Sequence, residues 1–443
     1  MLQQFGKQSY KQLAYFNLER YPELAAVFRE SLAPKKIIQQ LMLTRPDLRS
    51  GEIDTLYVFD EIQAVPEAIH ALKYFAEEAP QLHVIGAGSL LGIVMRKNSS
   101  RGWALSGDAD LYRGGVADVG SGTVSFPVGK VESHVLHPMS FKEFLLAKGY
   151  NDLVVDVSDK FFGQSKTVTA TLEKELAEFM LVGGMPEAVK TWLDTYDMTQ
   201  VERIHQQLLT GYRADFAKYV PSGDVAKINA IWDSIPAQLA EENRKFIFGA
   251  AMKGKRAKDL ADALQWLVDA GLVIKVPVVK NPKIPLIAVS DPTHFKLYLC
   301  DMGLLRSMAG LPAISLNDIV ERSTNFVGAI GENYVLAELV KQGLTVYFWR
   351  SKATAELDGL VQIGSNVIPV EIKAAHNKKA KSLRTYIDSY HPKLVVRCSL
   401  HRCNVTVVGD RLANNSKEPV QLLSLPHYYV WMFHDVATIM TAE

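Results

Sequence analysis

The sequence predicts an α/β protein with an N-terminal parallel sheet, a helical middle and a second α/β unit at the C-terminus. Three observations support this prediction. Short apolar runs alternate with helical patterns up to about residue 150, helical patterns alone fill about 170 to 240, and strand patterns return after about residue 320. At about 150 residues per domain, a chain of 443 residues has room for about three such units.

The N-terminal part alternates strands and helices. Buried strands are predicted at 12–19, 55–59 and 83–85, with helices at 23–30 and 68–78 between them. This alternation is typical of a parallel sheet with crossover helices. Residues 101–123 are rich in Gly, Ser and Asp and predict a long surface loop.

The middle of the chain is predicted to be helical and then to form a small wing. Helices are expected at 172–181, 186–196, 200–219, 226–239 and 257–270. A hairpin of strands at 272–279 and 286–289 follows, which makes 241–318 winged-helix-like. A helix at 325–342 and strands at 345–349, 357–362 and 367–373 open the last unit. The predicted domain limits are therefore 1–165, 166–240, 241–318 and 319–443.

Composition excludes several classes of protein. Lys and Arg exceed Asp and Glu by 49 to 48, so the net charge of +1 indicates no overall attraction to nucleic acid or to an acidic membrane. Three cysteines exclude a disulfide framework and favour a reducing compartment. No apolar run reaches membrane-spanning length, and the N-terminus lacks the apolar core of a signal peptide. We therefore expect a soluble, cytoplasmic protein with no membrane partner.

Two acids directly follow the second predicted strand. A buried parallel strand that ends in Asp60 and Glu61 places both carboxylates at the edge of the sheet where ligands bind. In phosphoryl-transfer ATPases such a Walker B Asp holds Mg²⁺ and the next Glu polarises water, while Ser89 after the neighbouring strand would sense the γ-phosphate. Two alternatives stay open: the acids only start a turn or cap a helix, or Gly86-x-Gly88 forms a dinucleotide-binding loop.

A second group of acids occurs near the C-terminus. Period two places Glu371 and Lys373 on one face of a strand, Asp358 lies on the preceding strand, and Glu332 lies on the long upstream helix. This order is that of PD-(D/E)xK nucleases, in which Glu332, Asp358 and Glu371 would hold a divalent metal and Glu371 and Lys373 would act in catalysis. The alternative is a solvated strand face with incidental charges.

Two segments of the chain are basic, although the net charge of the whole chain is close to zero. Residues 244–258 include Lys253, Lys255 and Arg256, and the segment after the Glu-x-Lys strand carries Lys378 and Lys379. Either segment is a candidate DNA contact, and a solvated helix face is the alternative for each. A zinc site at Cys398, His401 and Cys403 is not predicted, because no fourth ligand is suitably spaced.

Several motifs together resemble the prokaryotic AAA-type ATPases that carry a C-terminal restriction-endonuclease-like domain of unknown function. The resemblance implies an AAA-like domain using ATP and Mg²⁺, with Asp60 and Ser89 at the nucleotide and Glu61 in catalysis. The matching motifs are Phe59-Asp60-Glu61-Ile62-Gln63, Gly88-Ser89-Leu90-Leu91, Phe126-Pro127-Val128-Gly129-Lys130, His137-Pro138-Met139-Ser140-Phe141, Gly183-Gly184-Met185-Pro186, Phe295-Lys296-Leu297-Tyr298, Asp301-Met302-Gly303, Gly331-Glu332-Asn333 and Glu371-Ile372-Lys373.

One expected motif is missing. The chain has no G-x-x-x-x-G-K-[ST] phosphate-binding loop. In the family that loop precedes a helix ending like residues 2–6, so the first strand and the loop are expected to be missing and ATP binding to be weak or absent. We therefore expect an ATP-binding AAA-like ATPase, inactive in hydrolysis as it stands and coupled to a nuclease-like domain.

Two other functions remain as alternatives. One is a nucleotide-independent DNA-binding protein that uses the winged-helix-like and endonuclease-like units, and the other is a metal-dependent DNA nuclease. DNA, or another protein bound by either unit, is the expected partner. The sequence decides neither whether the chain is an enzyme nor its oligomeric state.

Overall fold

The computed structural model describes residues 2–45, 47–48, 54–89, 129–154, 165–220, 222–311, 324–352, 354–373, 381–399, 404–408 and 420–442. The chain divides into two compact units, residues 1–136 and 137–443. Several sequence predictions fall outside the described residues, namely those for the loop at 101–123 and for Lys378, Lys379, His401 and Cys403.

The first unit contains the predicted parallel sheet. Its described strands are three, in the order β1-β2-β3, and both neighbouring pairs are parallel. The predicted strands are thus confirmed, with slightly different ends. Its elements are α1 Leu2–Ser9, β1 Gln12–Asn17, α2 Ala25–Glu30, α3 Pro34–Leu43, β2 Thr55–Asp60, α4 Pro66–Glu78 and β3 His83–Gly86.

The middle strand β2 lies in the core of this unit. Five of its six residues are buried, and Phe59 packs edge-to-face against Phe28 of α2 with ring centroids 5.3 Å apart. Since both faces of the sheet carry helices or apolar side chains, β2 has a continuous apolar run instead of an alternating one. The chain becomes partly exposed at Asp60, the last residue of β2, and at Glu61, which follows it.

The second unit begins with helices. A capping box formed by Ser140 and Glu143 starts the first of them. The five helices predicted at 172–181, 186–196, 200–219, 226–239 and 257–270 are confirmed, with somewhat different ends. The described helices of this region are α5 Phe141–Ala147, α6 Lys166–Val182, α7 Pro186–Thr195, α8 Met198–Tyr219, α9 Ser222–Ala240, α10 Phe248–Ala251 and α11 Ala257–Asp269.

The described strands of the second unit form one eight-stranded mixed sheet in the order β10-β11-β9-β8-β7-β6-β4-β5. The hairpin β4–β5 therefore continues the C-terminal sheet, because β4 pairs with β5 on one side and with β6 on the other. The strands are β4 Val273–Val279, β5 Ser290–Leu299, β6 Val346–Arg350, β7 Glu356–Ile363, β8 Asn366–Ile372, β9 Leu394–Ser399, β10 Asn404–Val408 and β11 Val420–Pro426.

One predicted strand is wrong. Leu286–Val289 is a short helix, α12, and the strand that pairs with β4 is β5 instead. Pro285 precedes the helical turn, a position that suits proline. Leu286 is buried and its backbone N–H donates to Gln362 Oε1 at 3.0 Å, so the apolar run packs as a turn against β7.

A largely apolar helix places Glu332 against this sheet. The remaining helices are α13 Met302–Met308, α14 Thr324–Lys341, α15 Lys381–Tyr390 and α16 Phe433–Ala442. Ala329, Val335 and Leu336 of α14 are buried, which fits a helix covered on most sides. Even so, among the described residues no helix combines the length and the apolar character needed to cross a membrane.

Candidate functional site

The acid pair lies at the carboxyl edge of the first unit's sheet. Asp60 is the last residue of β2, and the parallel register pairs it with Asn17, the last residue of β1. On the other side, Ala87 donates its N–H to the Phe59 carbonyl at 2.9 Å as β3 ends. The sheet therefore brings the ends of all three described strands to one edge, as the sequence predicted.

Asp60 is held by two side chains from β1. Its Oδ2 accepts hydrogen bonds from the Tyr15 hydroxyl and from Asn17 Nδ2, the latter at 3.2 Å. Burial, helped by the Asp60 carboxylate, raises the pKa of Tyr15, so this hydroxyl stays a donor at neutral pH. Asp60 Oδ1 makes no hydrogen bond to another described residue, and the carboxylate thus has one oriented and one open oxygen.

Glu61 adopts a left-handed backbone conformation. Its φ is 51°, which a residue with a side chain adopts only at a cost of order 1 kcal/mol. Its Oε2 accepts a hydrogen bond from Gln63 Nε2. Gln63 in turn packs on Gly88, where an added Cβ would lie 2.0 Å from Gln63 Oε1. Gln63 therefore links Glu61 to the end of β3, next to the exposed Ser89.

These residues fit a nucleotide-bound magnesium ion. Mg²⁺ is usually held by one or two carboxylates together with water and substrate phosphates, so a single open Asp60 oxygen is sufficient. Gln63 Oε1 is also buried and has no hydrogen-bond partner among the described residues, which leaves an acceptor at the same edge. Asp60 would hold the ion, which would supply charge neutralisation for the phosphates.

The acids of the second unit lie where α14 packs against the large sheet. Glu332 on α14 is almost fully buried, and both of its oxygens are engaged. Oε1 accepts from Lys296 Nζ at 3.2 Å and from the Tyr298 hydroxyl, and Oε2 pairs with Arg244. These partners lower the pKa of Glu332 against the opposing effect of burial, so Glu332 stays ionised.

The predicted strand acids adjoin Glu332. Asp358 on β7 accepts a hydrogen bond from the Ile372 N–H of β8 at 2.8 Å. Burial, reinforced by the charges of Glu332 and Glu371, raises the pKa of Asp358 to about 7. Glu371 is buried and pairs with Lys373, as expected for neighbours on one strand face. The structure thus brings together all four predicted residues of the Glu, Asp and Glu-x-Lys set.

This group does not fit the predicted divalent metal site well. Glu332 already bonds two cations and a hydroxyl, and a metal would have to displace them. Among the described residues, no three His, Cys, Asp or Glu side chains form a cluster that could hold a metal ion. Lys296, which also pairs with Glu356 at 2.8 Å, supplies the positive charge inside the cluster.

Sequence reasoning missed Lys296, Tyr298 and Arg244 as partners of Glu332. One signal was available: Lys296 lies in an otherwise apolar strand segment, and a lysine so placed requires a buried acidic partner. Arg244 was counted only as part of the basic segment 244–258, although its guanidinium points inward. Lys253, Lys255 and Arg256 of that segment are exposed, as their predicted contact with DNA requires.

The Gly-Gly-Met-Pro and Asp-Met-Gly motifs form a structural junction. The Gly184 N–H donates to Asp301 Oδ2 at 2.6 Å, and Asp301 Oδ1 caps α13 through the Leu304 N–H at 3.0 Å. Gly183 has φ of 75°, and a Cβ there would lie 2.5 Å from Asp301 Oδ1. These motifs therefore hold helices together and are not part of either acid group.

Comparison with known families assigns the first unit. Residues 1–111 match the model of an AAA domain. Residues 173–315 match a domain of unknown function, DUF8612, and residues 327–416 match another, DUF4143. No curated protein matches the sequence.

A solved structure is also similar at low identity. The Walker-type ATPase PABY2304 of Pyrococcus abyssi is 15% identical, with 67% of this chain and 84% of that chain covered and a TM-score of 0.37. The AAA domain match, which includes Asp60, Glu61 and Ser89, agrees with the parallel sheet and its acid pair. Residues 1–111 of the chain are therefore similar to an AAA domain.

Proposed function

We propose that the first unit binds ATP with Mg²⁺ at the carboxyl edge of its sheet. One observation carries the proposal: Asp60 and Glu61 end the central buried strand, and Tyr15 and Asn17 orient one oxygen of Asp60 while the other remains open. Asp60 then binds the metal, Glu61 positions the attacking water, and Ser89 contacts the phosphate.

We also propose that the chain as it stands does not hydrolyse ATP. Its sequence has no glycine-rich loop with a lysine, and in P-loop enzymes backbone N–H groups and that lysine supply most of the phosphate binding. The remaining residues can orient a metal and a water, but without that loop they are expected to hold the phosphates of ATP only weakly. Hydrolysis is therefore expected only when such a loop precedes α1.

Magnesium-dependent ATP binding tests the role of Asp60. The protein would be extended at its N-terminus by a strand and a phosphate-binding loop, and ATP affinity would be measured with and without Mg²⁺. We expect Mg²⁺ to strengthen binding, Asp60→Asn to remove that gain, and Glu78→Gln, an exposed acid in the same unit, to leave it unchanged. An unchanged magnesium effect in Asp60→Asn would show that this carboxylate does not hold the metal.

The C-terminal unit is proposed to be nuclease-like in arrangement, coupled to the ATPase domain. The hairpin β7–β8, with Asp358 and Glu371 close enough to affect one another's charge, supports this arrangement. Metal-dependent cleavage is not favoured, because Lys296, Tyr298 and Arg244 already engage both oxygens of Glu332.

DNA binding without nucleotide remains a second candidate function, favoured by one observation. Lys253, Lys255 and Arg256 are all exposed within a turn that leads into α11. If all three contact phosphates, their combined replacement by Gln should reduce the slope of log affinity against log salt by about 3. Gln at the exposed Lys174, Lys190 and Arg203 is the matched control, and an equal change there would argue against the site.

A further inference from the structure

A basic cleft opens on the second unit beside the buried acid cluster, to which the Lys296–Glu356 ion pair joins it. Its volume is about 430 Å³, within the size range of small-molecule sites. Lys245, Lys280, His294, Arg350, Lys352 and Glu356 contribute its charged and titratable lining groups. We call this cavity the basic cleft.

Strand pairing brings these cations together. β4 and β6 run parallel with Val279 opposite Trp349, so Lys280 and Arg350 follow at the same edge of the sheet. Lys245 lines the same cavity, and its backbone bridges to Lys296 on β5. The relative positions of Lys280 and Arg350 therefore follow from the pairing of β4 with β6.

Most of this positive charge is unbalanced. Lys245, Arg350 and Lys352 form no ion pair with another described residue. Lys280 lies 3.3 Å from Asp291 and is still 63% exposed. Glu356 is the acid in the lining, and its carboxylate is bound by Lys296 from beneath. Like charges held at one cavity repel one another, so an anion entering the cleft would relieve this repulsion.

The lining also offers hydrogen-bond acceptors beside the cations. Asn243 and Glu356 lie in the lining, where Asn243 Oδ1 also accepts the Lys245 N–H and Glu356 Oε1 also pairs with Lys296, and Ser351 adds a hydroxyl. Arg350 can bind a phosphate through two parallel hydrogen bonds, which a lysine cannot do. An anion that also carries hydroxyl groups could pair with the cations of the lining and donate hydrogen bonds to its oxygens.

We propose that the basic cleft binds a small phosphorylated ligand that carries hydroxyl groups, of the class of sugar phosphates and nucleoside monophosphates. A cleft of about 430 Å³ has room for one small molecule, whereas a nucleic-acid strand requires an extended basic track. The phosphate would lie against Arg350 and Lys352, and the hydroxyls would face Glu356 and Asn243. The site is distinct from the proposed ATP site and does not depend on it.

Titration of the full-length protein with ribose 5-phosphate at low salt tests the proposal. We expect binding that weakens about tenfold in Arg350→Gln and in Lys352→Gln, the loss of one charged hydrogen bond of about 1.4 kcal/mol. Lys174→Gln, at an exposed lysine outside the cleft, should bind like the original protein. Unchanged thermal unfolding of the variants would exclude a folding defect.

Two results would overturn the assignment. One is a failure of ribose 5-phosphate to bind, or an equal loss of binding in Lys174→Gln. The other is binding of a single-stranded oligonucleotide that depends on Arg350 and Lys352 while ribose 5-phosphate does not bind, which would make the cleft a nucleic-acid contact. Failure of either kind leaves the ATP proposal unaffected, because no residue is shared.

Discussion

Replacing Asp358 by Asn should stabilise the protein, and more so at high pH. The pKa of Asp358 is about 7 in the folded protein and about 3.8 in an unfolded chain. The folded state therefore binds the extra proton between these values, and stability falls as pH rises through this window. Above pH 7 the ionised, buried Asp358 costs the folded state on the order of 4 kcal/mol, and near pH 5 it costs less than half of that.

The Asp358→Asn variant removes this cost without losing the main contact. The Asn carbonyl oxygen can still accept the Ile372 N–H, and its amide can donate to Glu332 or Glu371, the carboxylates that raise the Asp358 pKa. We therefore expect the variant to gain about 3 kcal/mol more over the original protein at pH 8.5 than at pH 5. That difference is the quantity to be measured.

Hydrogen exchange of the β7 and β8 amides gives a local measure of this stability. The free energy of opening would be determined at pH 5 and pH 8.5 in the original protein, in Asp358→Asn and in Asp388→Asn. Asp388 is exposed on α15, so its replacement should have no pH-dependent effect. If the gain of Asp358→Asn over the original protein were the same at both pH values, or smaller at pH 8.5, the explanation by burial and like charge would be refuted.

Three further predictions concern the same unit. Glu332→Gln leaves Arg244 and Lys296 without their buried carboxylate and should lower the free energy of unfolding by about 3 kcal/mol or more, measured by urea denaturation. Gly184→Ala places a Cβ 2.1 Å from the Met139 carbonyl oxygen and should destabilise the protein by at least about 2 kcal/mol, with a lower melting temperature as the readout. Asp301→Ala removes a helix cap and a buried hydrogen-bond acceptor and should lower the free energy of unfolding by about 2 to 4 kcal/mol in urea denaturation. A variant as stable as the original protein would show that Asp301 does not hold these helices together.

The sequence predicted the first sheet because the relevant information is local. The run from Thr55 to Phe59 is apolar throughout and is followed at once by two acids, and a buried parallel strand is the structure that suits such a run. The position of Asp60 at the sheet edge followed from that. The contacts of Asp60 with Tyr15 and Asn17 could not be derived, because they depend on which strand lies beside β2 and in what register.

The pairing of Glu332 with its particular partners could not be derived from the sequence for the same reason. The apolar neighbours of Glu332 on α14 favour its burial, but Lys296 lies 36 residues away and Arg244 lies 88 residues away in the chain. Only the eight-stranded arrangement of the described strands places β5 under α14. The short helix at Leu286–Val289 was missed because an apolar run of four residues fits a strand or a helical turn equally well.

The turnover of ATP tests the central claim most directly. The protein extended by a strand and a phosphate-binding loop would be assayed for phosphate release with MgATP, beside the chain as it stands and beside the extended Glu61→Gln and Glu78→Gln variants. We predict turnover in the extended protein, none in the chain as it stands, a loss of at least about 100-fold in Glu61→Gln and no loss in Glu78→Gln. An extended protein that neither binds nor hydrolyses ATP, or one in which Glu61→Gln turns over normally, would contradict the account.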